Sequence, residues 1–266
     1  VWTATGSMAT ARENHTASVL LSGKVLIAGG WNGVGGISSA EVYDPATGVF
    51  SATGSMPIAR GFHTASVLPS GAVLVAGGYS GNIGYYNAAE VYDPIAGVFN
   101  PTGNMATPRY DHTATVLPSG QVLMVGGDWV PFSDAPYLVE IYNPVSGSFV
   151  ATGNMGTRRA KHSATLLGTG KVIIAGGATL NTSVTSSVEL FDPTTGLFAP
   201  TSPMSTARSN HTATTLSSGK VLIAGGANGG PSLSSAELYD PIAGTFSAAG
   251  SMISPRRSHS AEVLVS

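Results

Sequence analysis

The chain has 266 residues, of which only 10% are charged, against roughly 25% in an average soluble protein. Its 12 Lys and Arg nearly balance 14 Asp and Glu, so no basic field exists to release counterions from nucleic acid or to hold an anionic membrane surface. With no cysteine there is no disulfide framework and no thiolate metal site, and no apolar run approaches the ~20 residues of a membrane-spanning helix.

In chain order, Trp2-Thr-Ala-Thr-Gly6 reads as a lone strand, followed by a link containing Met8 and Arg12. His15-Thr-Ala-Ser-Val-Leu20 is a first strand, and Ser22-Gly23 a two-residue hairpin turn. Lys24-Val-Leu-Ile-Ala28 is a continuous apolar run, as in a strand covered on both faces, and ends at Gly29-Gly30. After a variable loop, Ala40-Glu-Val-Tyr-Asp44 alternates in polarity, Pro45 to Gly48 turns the chain, and Val49-Phe-Ser-Ala-Thr53 is a fourth strand. The unit then recurs. Double glycines fall at Gly29, Gly77, Gly126, Gly176 and Gly225, a spacing of 48 to 50 residues. His15, His63, His112, His162, His211 and His259 keep the same phase, as do Glu41, Glu90, Glu140, Glu189 and Glu237. Complete four-strand sets cover 15–53, 63–102, 112–152, 162–201 and 211–249, and His259-Ser-Ala-Glu-Val-Leu264 repeats the first strand. No stretch shows capped helical periodicity.

Four antiparallel strands every ~50 residues make one propeller blade per repeat, so the expected fold is an all-β propeller in a single domain over 1–266. Segments 1–6 and 259–266 are expected as partial-blade strands. Two closures stay open: a six-position ring lacking ~30 residues of its last blade, or a closed five-bladed ring with redundant ends. An incomplete blade would offer unpaired edges for self-association. The chain opens at Val1 with no signal peptide in view, and is read as a processed or excerpted segment.

The double glycine after an apolar strand, then Tyr43, then Phe50, resembles the kelch motif. The bacterial variant is the nearest in form: Gly-Ser-Met-x-x-x-Arg-x-x-His-Thr-Ala, Gly-Lys-Val-Leu-Ile-Ala-Gly-Gly and Ala-Glu-Val-Tyr-Asp-Pro. The likeness runs along essentially the whole chain and implies a β-propeller, while implying little about activity. Galactose oxidase also carries kelch-type repeats, but its copper site uses a tyrosine cross-linked to cysteine, which this chain cannot form.

Residues present in every repeat are expected to hold the fold. Arg12, Arg60, Arg109, Arg159 and Arg208 stand three residues before the phased histidines, and six Arg-x-x-His copies, counting Arg256/His259, are too many for one catalytic centre. Paired with the phased glutamates they suit structural ion pairs, within or between blades. The Asp-Pro pairs read as turns, with Asn143 substituting for Asp, and the recurrent methionines as plugs between blades. No Gly-x-Ser-x-Gly, His-Glu-x-x-His, phosphate loop or calcium-loop spacing occurs. The expectation is a non-enzyme with no cofactor and no metal.

What differs between repeats is the better guide to function. The loops after the double glycines hold Trp31, Tyr79, Tyr85, Tyr86, Trp129, Phe132 and Tyr137, with Asp128 and Asp134, in the first three repeats, and small or polar residues in the last two. They open on the same end as the links, near Tyr110 and Asp111. Exposed aromatics on a rigid scaffold suggest recognition of a protein, or of a glycan by ring stacking; the alternative is that the rings fold back over their own loops. A structural segment of a larger bacterial surface protein is the second reading, and an enzyme with a central site the third. Low charge with abundant Ser, Thr, Gly and Ala suggests an extracellular or cell-surface location.

Overall fold

Apolar runs closed by a double glycine recur five times, and each becomes the second strand of a four-stranded sheet, largely covered on both faces. The computed structural model describes residues 3–81, 84–128, 139–179 and 183–264. Among these the chain forms strands and no helix. The first sheet is β1 (Thr16–Val19), β2 (Val25–Ala28), β3 (Ala40–Asp44) and β4 (Val49–Ala52). The second is β5 (Thr64–Val67), β6 (Val73–Ala76), β7 (Ala89–Asp93) and β8 (Val98–Pro101). The third is β9 (Thr113–Val116), β10 (Val122–Val125), β11 (Glu140–Asn143) and β12 (Ser148–Ala151). The fourth is β13 (Ser163–Leu166), β14 (Val172–Ala175), β15 (Val188–Asp192) and β16 (Leu197–Thr201). The fifth is β17 (Thr212–Thr215), β18 (Val221–Ala224), β19 (Ala236–Asp240) and β20 (Thr245–Ala249). Each is an antiparallel meander in which chain neighbours pair, the architecture of a propeller blade.

Two compact units result. The first takes residues 3–81, 84–122 and 142–150 of those described, and the second residues 123–128, 139–141, 151–179 and 183–264. In the first, β1 lies against β5 and β5 against β9; in the second, β13 lies against β17. Leu26, Met56, Val73, Val75 and Tyr92 share one core of the first unit, and Ile173, Met204, Val221, Ile223 and Tyr239 one core of the second. The link methionines are thus packed with strands of two sheets, as the sequence suggested. Register pairs Tyr43 with Phe50 across β3 and β4, their rings 4.7 Å apart, a contact repeated in every sheet.

The turns follow side-chain chemistry. Asp44 Oδ1 accepts the Ala46 N–H at 2.9 Å, and Asp93, Asn143, Asp192 and Asp240 do the same two residues on. The β1–β2 connection corrects the two-residue expectation. Leu20 N–H bonds Lys24 O and Gly23 N–H bonds Leu20 O, so three residues form the loop, with Gly23 left-handed at φ 81. A type I turn completed by a left-handed glycine suits strand twist as well as the shorter primed turns do. At the double glycine the demand is closeness. A Cβ on Gly29 would lie 2.5 Å from Arg60 O, and one on Gly30 2.7 Å from Glu13 O.

The strands expected at the two ends are not formed over residues 3–6 and 259–264. A strand here exists by ladder pairing, and these segments bond elsewhere. Gly6 N–H bonds Gly48 O at 3.0 Å, as Gly54 N–H bonds Gly97 O at 2.9 Å, and His259 Nε2 lies 3.3 Å from Thr212 Oγ1. Both ends therefore keep the repeat's link contacts without its pairing.

Candidate functional site

The spacing Arg-x-x-His serves two bonds, one within a repeat and one between repeats. Arg12 Nη1 donates to Gly29 O at 2.7 Å and Ser39 O at 2.8 Å, and Nη2 to Glu41 Oε1 at 2.8 Å. Glu41 Oε2 in turn accepts the Ala9 N–H at 2.8 Å. The pair ties the link ahead of a sheet to that same sheet. Arg60–Glu90, Arg159–Glu189 and Arg208–Glu237 repeat it at 2.7 to 2.8 Å, with arginine side chains fully buried. Arg109 and Glu140 are buried as well. Of the two arrangements open in the sequence, the described pairs are within a repeat.

The histidines face the preceding sheet. His63 Nε2 lies 3.0 Å from Thr16 Oγ1, His112 Nε2 3.0 Å from Thr64 Oγ1, and His211 Nε2 2.9 Å from Ser163 Oγ. Burial first, then the neighbouring arginine charge, pushes His63, His162 and His211 down to about 3, so these rings are neutral. His15 stands at the same repeat position, half-buried, and burial again lowers it. Among the described residues no three His, Asp or Glu side chains gather to hold a metal ion.

One repeat breaks the pattern. Burial would raise Glu41 and Glu237, but the N–H groups of Ala9 and Ser205 and the arginines outweigh it and hold both carboxyls below their ordinary range. Glu90 goes the other way: burial raises it, and Arg60 with the Ile58 N–H offsets only part. The cause is in the sequence. Pro57 occupies the position of Ala9, Gly156 and Ser205, which donate to the glutamate Oε2 at 2.7 to 2.8 Å. Proline has no N–H, and Glu90 Oε2 is buried without a partner. Arg60 has also lost a contact, because Ala88 replaces the serine that meets the guanidinium in Ser39, Ser187 and Ser235. The Tyr86 ring lies over Arg60 instead, 5.5 Å from centroid to guanidinium carbon.

The variable aromatics come together across repeats. Trp31 stacks on Tyr79 at 5.8 Å, Tyr79 on Tyr85 at 4.9 Å, and Tyr85 on Tyr110 at 5.1 Å. Phe62 closes the run edge-on to Tyr110 at 6.2 Å and 77°. All five are half-buried, so the rings cover one another yet remain partly open to solvent. Backbone bridges place them: Trp31 exchanges two hydrogen bonds with Glu13, and Tyr79 with Gly61. Tyr86 stands apart from the run, its hydroxyl 2.7 Å from Ser80 Oγ and its ring on Arg60. Asp128 is exposed in the second unit. Trp129, Phe132, Asp134 and Tyr137 lie outside the described residues. Sequence reasoning missed Phe62, although the signal was there: an aromatic stands where other repeats carry Asn14, Asp111, Lys161, Asn210 and Ser258.

Five antiparallel four-stranded sheets, locked by a repeated Arg–Glu pair and a histidine bridge, define a protein of propeller blades. The Kelch motif family model matches residues 14–57 and 207–253, the first and fifth of these repeats. Kelch motifs at these two places support a kelch-repeat family, and kelch propellers commonly serve to bind other proteins. No curated protein matches the chain.

Proposed function

We propose that the protein is a non-catalytic binding module, extracellular or at a cell surface, that recognises a protein or glycan partner through the loop end of its first unit. The carrying observation is the aromatic run from Trp31 through Tyr79 and Tyr85 to Tyr110. These rings are absent from the matching positions of the fourth and fifth repeats, so the fold does not need them. The titratable groups that recur are taken up in structural bonds, which argues for binding rather than chemistry. Half-buried aromatic rings pinned by backbone bridges are the side chains that dominate recognition energetics.

The test is a screen of the intact chain against glycan and peptide arrays, repeated with Tyr85→Ala. Genuine ligands should lose about tenfold or more in affinity, as expected for a central aromatic anchor. Hits that all survive Tyr85→Ala, in a variant with unchanged circular dichroism, would refute the assignment of this surface.

A further inference from the structure

The link that follows the fifth sheet is seated like the others, yet it makes only half of their bonds. Met252, Arg256 and His259 pack against Gly225 as Met56, Arg60 and His63 pack against Gly29. Gly226 N–H bonds Arg256 O at 2.9 Å and Met252 N–H bonds Ser234 O at 2.8 Å, matching the bonds of Gly30 to Arg60 O and of Met56 to Ser38 O. His259 Nε2 lies 3.3 Å from Thr212 Oγ1, where His63 Nε2 lies 3.0 Å from Thr16 Oγ1. The half of the lock that faces back to the sheet behind is complete.

The half that faces forward is not made. In the fifth repeat Glu237 accepts from Arg208 Nη2 at 2.8 Å, from Ser205 N–H at 2.7 Å and from Thr206 N–H at 3.2 Å. The first and fourth repeats hold Glu41 and Glu189 with the same three donors. In the last link those donors are Arg256 and the N–H groups of Ile253 and Ser254, and all three residues are exposed. The Arg256 guanidinium forms no ion pair among the described residues, and its one bond is from Nε to Ser254 O at 3.4 Å. The two N–H groups make no bond there either. An arginine and two successive N–H groups at this spacing are a carboxylate site three times over in the same chain.

The sheet beneath tells the same. Leu26, Leu74, Leu123 and Ile173, on the second strands, are at most 1% exposed, whereas Leu222 is half-buried, as is Met252. On the fourth sheet the matching face, with Leu167 and Ile173, is covered by Val221, Ile223 and Tyr239 of β18 and β19. Glu237 lies on β19 as well. Apolar cover and carboxylate therefore come from a single hairpin.

We infer that the fifth sheet binds a β-hairpin of a separate protein segment, with Val-x-Ile on one strand and Glu-x-Tyr on the next. Its carboxylate is taken by Arg256 with the Ile253 and Ser254 N–H groups, and its apolar side chains cover Leu222 and Met252. A second copy of this chain fits less well, because its Glu41, Glu90, Glu189 and Glu237 are each tied to an arginine of their own link. The surface lies in the second unit and does not depend on the aromatic run of the first.

The experiment is fluorescence anisotropy of a labelled peptide of residues 218–241, which holds β18 and β19, titrated with the full chain. The peptide should bind, and Glu237→Gln in the peptide should weaken it at least about tenfold. Arg256→Ala in the chain should weaken it equally, and should leave the urea midpoint of the free chain unchanged because that side chain is exposed. Ile253→Pro removes one N–H donor, as Pro57 does in the second repeat, and should weaken the peptide about threefold or more. No binding, equal binding of the Glu237→Gln peptide, or indifference to Arg256→Ala overturns the inference. A concentration-dependent dimer of the chain alone, lost in Arg256→Ala, gives the site to a second copy and overturns it too.

Discussion

Pro57→Ala should stabilise the protein, against the usual expectation for removing a loop proline. The link residue at this position donates its N–H to glutamate Oε2 at 2.8 Å from Ala9, 2.7 Å from Gly156 and 2.7 Å from Ser205. Pro57 leaves Glu90 Oε2 buried and unpartnered. A hydrogen bond to a charged group contributes about 1.5–3 kcal/mol. The proline's restriction of the unfolded chain, worth about 0.4–1 kcal/mol, is lost. Pro57 is exposed, so no packing is forfeited. The net gain is about 1–2 kcal/mol, or a urea midpoint about 0.5–1 M higher for a slope near 2 kcal/mol per M. Ser205→Pro is the mirror experiment, and should destabilise by breaking the bond to Glu237. A midpoint unchanged or lowered in Pro57→Ala, or a gain that persists when Glu90 is also replaced by alanine, refutes the reasoning.

Three further outcomes follow from the lock. Acid should unfold the protein earlier than its carboxylates explain. His63, His162 and His211 titrate near 3 in the fold and near 6.5 in the unfolded chain, so their contribution is complete above pH 6.5 and is lost as pH falls toward 3. Three protons at about 1.4 kcal/mol per unit each give a slope of about 4 kcal/mol per pH unit near pH 5. Urea midpoints that stay flat from pH 7 to 5 would contradict this. Arg208→Ala strands Glu237, whose partner it is at 2.8 Å, and should cost about 3–5 kcal/mol in equilibrium unfolding. Gly177→Ala places a Cβ 2.7 Å from Ala160 O at a φ of 106, and should cost about 1–3 kcal/mol from backbone strain alone, read as a fall in Tm.

Sheets and their limits were legible because three residue types kept one phase: the double glycine ends each second strand, the glutamate sits on each third strand, and the histidine opens each first. The ion-pair partners were legible for the same reason, but their geometry was not. Nothing in Arg-x-x-His says that the arginine reaches forward into its own sheet while the histidine reaches back to Thr16 or Ser163. Tyr86 shows the limit of reading loops by composition. It was grouped with Tyr79 and Tyr85, yet its N–H bonds Gly78 O as Ile37 N–H bonds Gly30 O and Leu233 N–H bonds Gly226 O. That position belongs to the link packing rather than to the loop tip, and repeat alignment alone could have assigned it. Phe62 stood outside the loops compared between repeats, and aligning the residue before each histidine is what brings it out.

The departures from the repeat are not scattered. Pro57 and Ala88 each remove a contact that other repeats make, Phe62 holds a left-handed φ that its side chain disfavours, and all lie in the repeat that presents Tyr79 and Tyr85. Rule-breaking of this kind concentrates where function competes with stability. The scaffold can carry it because the link of the second repeat is also held from the first: Gly30 N–H bonds Arg60 O at 2.9 Å and Met56 N–H bonds Ser38 O at 2.9 Å. Those bonds use backbone atoms, so they persist whatever side chains the loop displays. Division of labour between main chain and side chain is what lets one blade of a repeat protein lose part of its own lock and still stand, and it leaves the positions above that lock free to vary without loss of the fold.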